Sequence, residues 1–146
     1  MTEHHPLSTP EPADPRLESS PRLMAYLGDA VYELRIRQWL LETLFPDNAL
    51  LSDDLHRRTT RLARCEFQAR ALESIMPHLD DAELAFARRA RNLSIPVGRR
   101  SQQASYRQAT AFEALIGHWS RTNPTRMEAI WERLKPLLAQ EQQDPA

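Results

Sequence analysis

Apolar residues recur along this chain at intervals of three and four, and almost nowhere at the alternating spacing of a strand. The first such stretch runs from Arg22 to about Leu44. Leu23, Leu27, Ala30, Leu34 and Leu41 form one stripe, and Ala25, Asp29, Glu33, Ile36 and Leu40 form a second, about 100° round the helix. With Val31, Tyr32 and Trp39 filling other sectors, this helix reads as apolar nearly all round, a pattern that predicts a place in the middle of a bundle. It ends near Phe45-Pro46-Asp47-Asn48. A second helix starts at Ser52 as N-cap, with acids in its first turn, and is expected to continue unbroken to about Pro77. A third opens on the capping box Asp80-x-x-Glu83 and reaches about Asn92. Residues 93–102 contain Pro96 and Gly98 and read as a basic loop. A fourth helix spans about Gln103 to Arg121, packing through Phe112, Leu115, Ile116 and Trp119. The fifth takes Asn123 as cap and Pro124 at its first position, and carries Met127, Ile130, Trp131, Leu134 and Leu137 or Leu138 at helical spacing. The expected class is all-α.

Composition narrows this without redirecting it. A chain of 146 residues has room for one core, and only three glycines interrupt it. Five of the eleven prolines fall within residues 1–21, which read as a disordered tail; the domain is expected over 22–139 and a frayed end over 140–146. Cys65 is the single cysteine, so neither a disulfide framework nor a cysteine-based zinc site is available. No apolar run approaches a membrane span, and the N-terminus lacks the basic start and apolar stretch of a secretion signal; a cytoplasmic protein with no membrane partner is expected.

The net charge of −1 conceals an uneven distribution. Eleven arginines lie between His56 and Arg107 against five acids, a local balance of +6. Guanidinium groups suit bidentate contact with phosphate, although a general preference for Arg over Lys would give the same count.

Two carboxylates stand where apolar neighbours surround them. Asp29 lies within the first helix with Glu33 one turn further on the same face. Glu113 lies in the fourth among Tyr106, Ala109, Thr110, Gly117 and Ser120, a face of mostly small residues that allows close helix approach or leaves space for an ion. A buried carboxylate without a partner costs several kcal/mol. Three resolutions remain open at this point: ion pairing with Arg35, Arg37 or Arg107, a divalent metal held by hard oxygen ligands, or plain exposure.

The run Leu27-Gly28-Asp29-Ala30-Val31-Tyr32-Glu33 resembles the central motif of the ribonuclease III family, and Phe112-Glu113-Ala114-Leu115-Ile116-Gly117 resembles its second acidic motif. Asp54-Leu55-His56-Arg57-Arg58-Thr59, Glu66-Phe67-Gln68-Ala69, Arg88-Arg89-Ala90-Arg91-Asn92 and Tyr106-Arg107-x-Ala109-Thr110 are similar to the short subfamily, Mini-ribonuclease III. The resemblance implies the ribonuclease III catalytic-domain helical bundle, paired as a homodimer, and a metal-dependent endoribonuclease that cuts double-stranded RNA to 5′-phosphate and 3′-hydroxyl ends. It implies Mg²⁺ or Mn²⁺ on Asp29 and Glu113 as catalytic ligands, with Thr110 in an outer-sphere position and Glu33 either there too or, the favoured reading, paired with an arginine. It also implies RNA contact through His56, Arg57, Arg88, Arg89, Arg91, Asn92, Arg99 and Arg100, and the precursor of 23S ribosomal RNA as substrate.

The chain departs from the family pattern in places. Full-length members carry acids seven and four positions before the motif Asp, where this chain has Arg22 and Ala25, and an Asp three before the motif Glu, where it has Thr110. Where the subfamily has Gly-Arg-Asn-Ala-Lys, this chain reads Ala90-Arg91-Asn92-Leu93-Ser94. Two other functions fit the residues: a non-catalytic relative that binds structured RNA, and a helical interaction module in which Asp29 and Glu113 are structural ion pairs.

Overall fold

The structure, a computed structural model, describes residues 14–46, 52–93 and 103–143. Seven α-helices are assigned there: α1 (Pro15–Glu18), α2 (Pro21–Leu44), α3 (Ser52–Ala63), α4 (Cys65–Ile75), α5 (Asp81–Arg91), α6 (Gln103–Thr122) and α7 (Pro124–Gln143), with a 3-10 turn at Met76–His78. No strand occurs among the described residues. No described helix is long and apolar enough to cross a membrane.

The centre of the bundle is α6, not α2. Ala109, Ala111, Phe112, Ala114, Leu115, Ile116, Gly117 and Trp119 are all buried in it, and it packs against α1, α2, α4, α5 and α7. Its small residues explain the place. Where the backbone is nearly bare, neighbouring helices can approach from several sides. The closest approach is to α2 at Gly28 and Gly117. A Cβ on Gly28 would lie 1.7 Å from the Glu113 carbonyl oxygen, and one on Gly117 would lie 2.0 Å from that of Met24. Two backbones touch here, and nothing larger than hydrogen fits between them.

The α2 helix therefore buries one face only: Met24, Gly28, Tyr32, Ile36, Trp39 and Leu40. Leu23, Leu34 and Leu41, from the stripe expected to be internal, are 47%, 57% and 49% exposed. The hydrophobic pattern was read correctly as apolar, but this chain by itself does not cover that side. Tyr32 anchors the buried side, its hydroxyl donating to the Leu62 carbonyl at 2.6 Å and its ring edge-on to Phe112 and Trp131.

The expected single helix from Ser52 to Pro77 is two. Arg64 adopts extended backbone (φ −65°, ψ 148°) between α3 and α4, and no Gly or Pro marks the break. The break lets α3 lean on α2 while α4 packs on α6 and α7. Residues 14–20, inside the stretch read as tail, hold the short α1, where the Glu18 carboxylate accepts from the Arg121 guanidinium and the Glu18 backbone carbonyl accepts from the His118 ring. The two sequence-read caps occur as expected. Asp80 and Glu83 form a complete capping box at α5, and the Asn123 side chain accepts from the Arg126 amide at the start of α7. Glu83 has a second task. Its carboxylate receives the Trp119 indole N–H at 2.7 Å and the Arg126 guanidinium, tying α5, α6 and α7. Burial pushes its pKa upward, but the hydrogen bonds from Arg126, the cap backbone and Trp119 outweigh this and hold it below the usual value.

Candidate active site

The Gly28–Gly117 crossing sets one carboxylate on each side of a shared cavity. Asp29 follows Gly28 directly, and the Glu113 carbonyl is the very atom against which Gly28 rests. Both side chains line a cavity of about 410 Å³ together with Arg22, Tyr26, Gln68, Arg91, Tyr106, Arg107 and Thr110, among others. Asp29 is exposed at the mouth, which corrects the expectation that it lies inside the bundle, whereas Glu113 is part-buried. The reason is again the one-sided burial of α2.

The three open resolutions can now be compared. Arg35 pairs with Glu128, Arg37 with Glu33, and the Arg107 guanidinium donates to the backbone carbonyl of Arg91 at 2.5 Å. No ion pair among the described residues reaches Asp29 or Glu113. The carboxylates meet each other instead. Burial, then a hydrogen bond with Asp29, then the Asp29 charge push the Glu113 carboxyl up to about 8. Two acids this close share one proton, or their joint negative charge is offset by a cation. Burial, and after it the Glu113 charge, hold the Tyr32 phenol well above its ordinary value.

The other sequence-read residues are spread over the molecule. Thr110 lines the cavity, its hydroxyl donating to the Tyr106 carbonyl at 2.9 Å. Glu33 does not line it; it sits 3.5 Å from Arg37, both about half exposed. Arg91 lines the cavity and Asn92, exposed, caps the end of α5. Arg88 and Arg89 are exposed on α5, Arg89 lying over the Phe86 ring. His56 and Arg57 line a second, basic cavity of about 450 Å³ with Arg58, Arg61 and Arg64. The two cavities adjoin at the α3–α4 break: Ala63 and Cys65 face the acidic one and Arg64 the basic one. Arg99 and Arg100 lie outside the described residues.

Sequence reasoning passed over Arg22, Tyr26 and Gln68 as site residues. The first two stand seven and three positions before Asp29, which is the same helix face, so the spacing held the signal. Gln68 had a subtler one, a polar residue on the face that Ala71, Leu72 and Ile75 bury.

Residues 23–124 match the family model of the ribonuclease III domain. The chain is 39% identical over 119 residues to the Mini-ribonuclease 3 of Desulfitobacterium hafniense, covering 81% of this chain and 73% of that one. It is 38% identical over 130 residues to the Mini-ribonuclease 3 of Synechocystis, covering 86% and 87%. A crystal structure of a Fusobacterium nucleatum protein superposes with a TM-score of 0.69 at 24% identity, over 80% of this chain and 93% of that one, a likeness of fold.

Proposed function

We propose, for a chain that belongs to the ribonuclease III family and within it to the Mini-ribonuclease III branch, that this endoribonuclease cleaves double-stranded RNA with a divalent cation held by Asp29 and Glu113. The observation that carries the reading is the pair itself: two carboxylates from crossing helices share one cavity, and no protein cation among the described residues reaches them. Carboxylate oxygens with room for water suit Mg²⁺, with Mn²⁺ as substitute. No group of three or more His, Cys, Asp or Glu that could hold a metal occurs among the described residues, so the donor set fits one such ion largely hydrated. When bound, the cation would lower the pKa of a water and offset charge on the phosphate in flight.

The chain's own residues supply the rest. Asp29 at the mouth meets the incoming phosphodiester side of the cavity, and Glu113 closes it from within. Arg22 and Arg91 bring guanidinium groups to the same walls, suited to the non-reacting phosphate oxygens. Beyond the α3–α4 break, the basic cavity of His56, Arg57 and Arg64 continues the positive surface along a duplex. A-form RNA hides its base edges in a deep groove, so recognition rests on phosphates and 2′-hydroxyls and weakens steeply with salt. Hydrolysis leaves 5′-phosphate and 3′-hydroxyl ends, and a duplex formed by the precursor of 23S ribosomal RNA is the substrate the branch suggests.

The exposed stripe of Leu23, Leu34 and Leu41 supports self-pairing along α2, beside the face that carries Arg22, Tyr26 and Asp29. Two-fold pairing would bring two cavities to one duplex. Light scattering is expected to give twice the 16.9 kDa chain mass; a monomer at micromolar concentration would refute the pairing.

The decisive assay is incubation of a long end-labelled RNA duplex with Mg²⁺. Wild type shortens it, EDTA stops the reaction, and Asp29→Asn slows it at least ~100-fold. Fragments should be degraded by a 5′-phosphate-dependent exonuclease, and a 23S-precursor stem should be cut in preference to an unrelated duplex. A duplex left intact in every lane, yet retarded in a gel, would replace this reading with a non-catalytic RNA-binding one.

A further inference from the structure

Gln68 is 3% exposed, and its side chain lines the cavity that Asp29 and Glu113 share. It projects from the core face of α4, with Phe67, Ala71, Leu72 and Ile75 buried around it. A leucine would suit that face. The carboxamide brings two donors and an acceptor to the cavity wall, where its polar atoms reach the cavity instead of being sealed in the core, and no hydrogen bond to it exists among the described residues. A polar group on an otherwise apolar, buried face finds its partners where it can reach them, and here that is the content of the cavity.

The chemistry of that cavity says what the partner is. Two carboxylates cover at most part of the six-coordinate shell that a hard divalent cation prefers, and waters complete it. Each such water has protons that need acceptors. In the wall, Thr110 spends its own proton on the Tyr106 carbonyl, leaving its oxygen to accept, and the Gln68 amide oxygen is a further acceptor beside the two acids.

Building on the metal site of the preceding reading, we propose that Gln68 is a positioning residue whose carboxamide hydrogen-bonds the waters of the cation held by Asp29 and Glu113. It does the orienting that a further acidic residue would otherwise do, without adding a third negative charge to an already crowded pair. It touches neither the metal nor the phosphate directly.

The test is Mn²⁺ binding to the full chain by calorimetry, without RNA, alongside thermal melts and duplex cleavage. Gln68→Leu keeps the volume and removes the polarity; its metal-free melting point is expected to equal or exceed wild type. Its Mn²⁺ affinity falls about tenfold, as when an outer hydrogen-bonding partner of a metal site is lost, and kcat falls while KM for duplex holds. Gln68→Glu, which supplies an oxygen acceptor and a charge, binds Mn²⁺ at least as tightly as wild type. A purely structural glutamine predicts the reverse order: both variants less stable, with Mn²⁺ affinity unmoved. Wild-type affinity in Gln68→Leu, set against loss of binding in Asp29→Asn, would overturn the role of Gln68 alone. Unchanged binding in both variants would overturn the metal site and this proposal with it.

Discussion

Gly28→Ala is expected to cost about 4 kcal/mol or more and to abolish cleavage, although alanine is the better helix former. By propensity alone the change would favour the folded state by ~1 kcal/mol. Sterics reverse the sign. The added methyl would sit 1.7 Å from the Glu113 carbonyl oxygen and 2.9 Å from the Gly117 nitrogen, and both are backbone atoms that no rotamer change can move. Relief requires α2 and α6 to separate over their whole contact, which overpacking elsewhere in a core seldom demands. Gly117→Ala should behave alike, its methyl meeting the Met24 carbonyl at 2.0 Å. Ala30→Gly, two residues away on the exposed side of α2, serves as contrast and should cost only ~1 kcal/mol. Denaturant titration of the three variants decides it; a Gly28→Ala protein as stable as wild type would show that the helices do not cross at this point.

The second large effect is a pH dependence of the metal-free protein. Burial and the neighbouring Asp29 push the folded Glu113 carboxyl up to about 8, against its ordinary 4.5. A folded pKa raised in this way makes a stabilising contribution fully present below 4.5 and lost progressively as pH rises through 8. Across that window the loss is on the order of 5 kcal/mol, since each unit of separation is worth ~1.4 kcal/mol. Glu83 and Glu128 are shifted the other way, so their contributions are lost only as pH falls through the carboxylate range and do not overlap this one. Glu113→Gln should therefore match wild type near pH 5 and melt ~10 °C higher at pH 8 without metal. Added Mg²⁺ should close the gap by raising wild type alone. A difference between the two proteins that stays constant from pH 5 to pH 8 would remove the coupled pair from the account.

How much of this was legible beforehand depends on the range of the interaction. Caps at Asp80, Glu83 and Asn123 are local hydrogen bonds, and their sequence signatures were sufficient. The break at Arg64 was not visible, because nothing local requires it; α3 and α4 part company to reach different neighbours. The apolar stripe of α2 was legible as apolar, but whether a stripe faces its own chain or another is a tertiary fact. At the site, Asp29 and Glu113 stood out as carboxylates among small or apolar residues, and the structure places them in one cavity. Gln68 belongs there too, yet its sequence neighbours give only the hint of a polar residue on a buried face, and α4 had first to be folded onto α6.

The junction at Arg64 has a consequence for how this protein can change. Connections between helices usually absorb inserted or deleted residues readily. Here three consecutive positions are divided between two surfaces, Ala63 and Cys65 on the acidic cavity and Arg64 on the basic one, with extended backbone between. Adding or removing one residue would change the angle and distance at which α3 and α4 meet, so the acidic cavity and the arginine groove could not both keep their present walls. Substitution at this point alters one wall, whereas a change of length alters how two walls are joined.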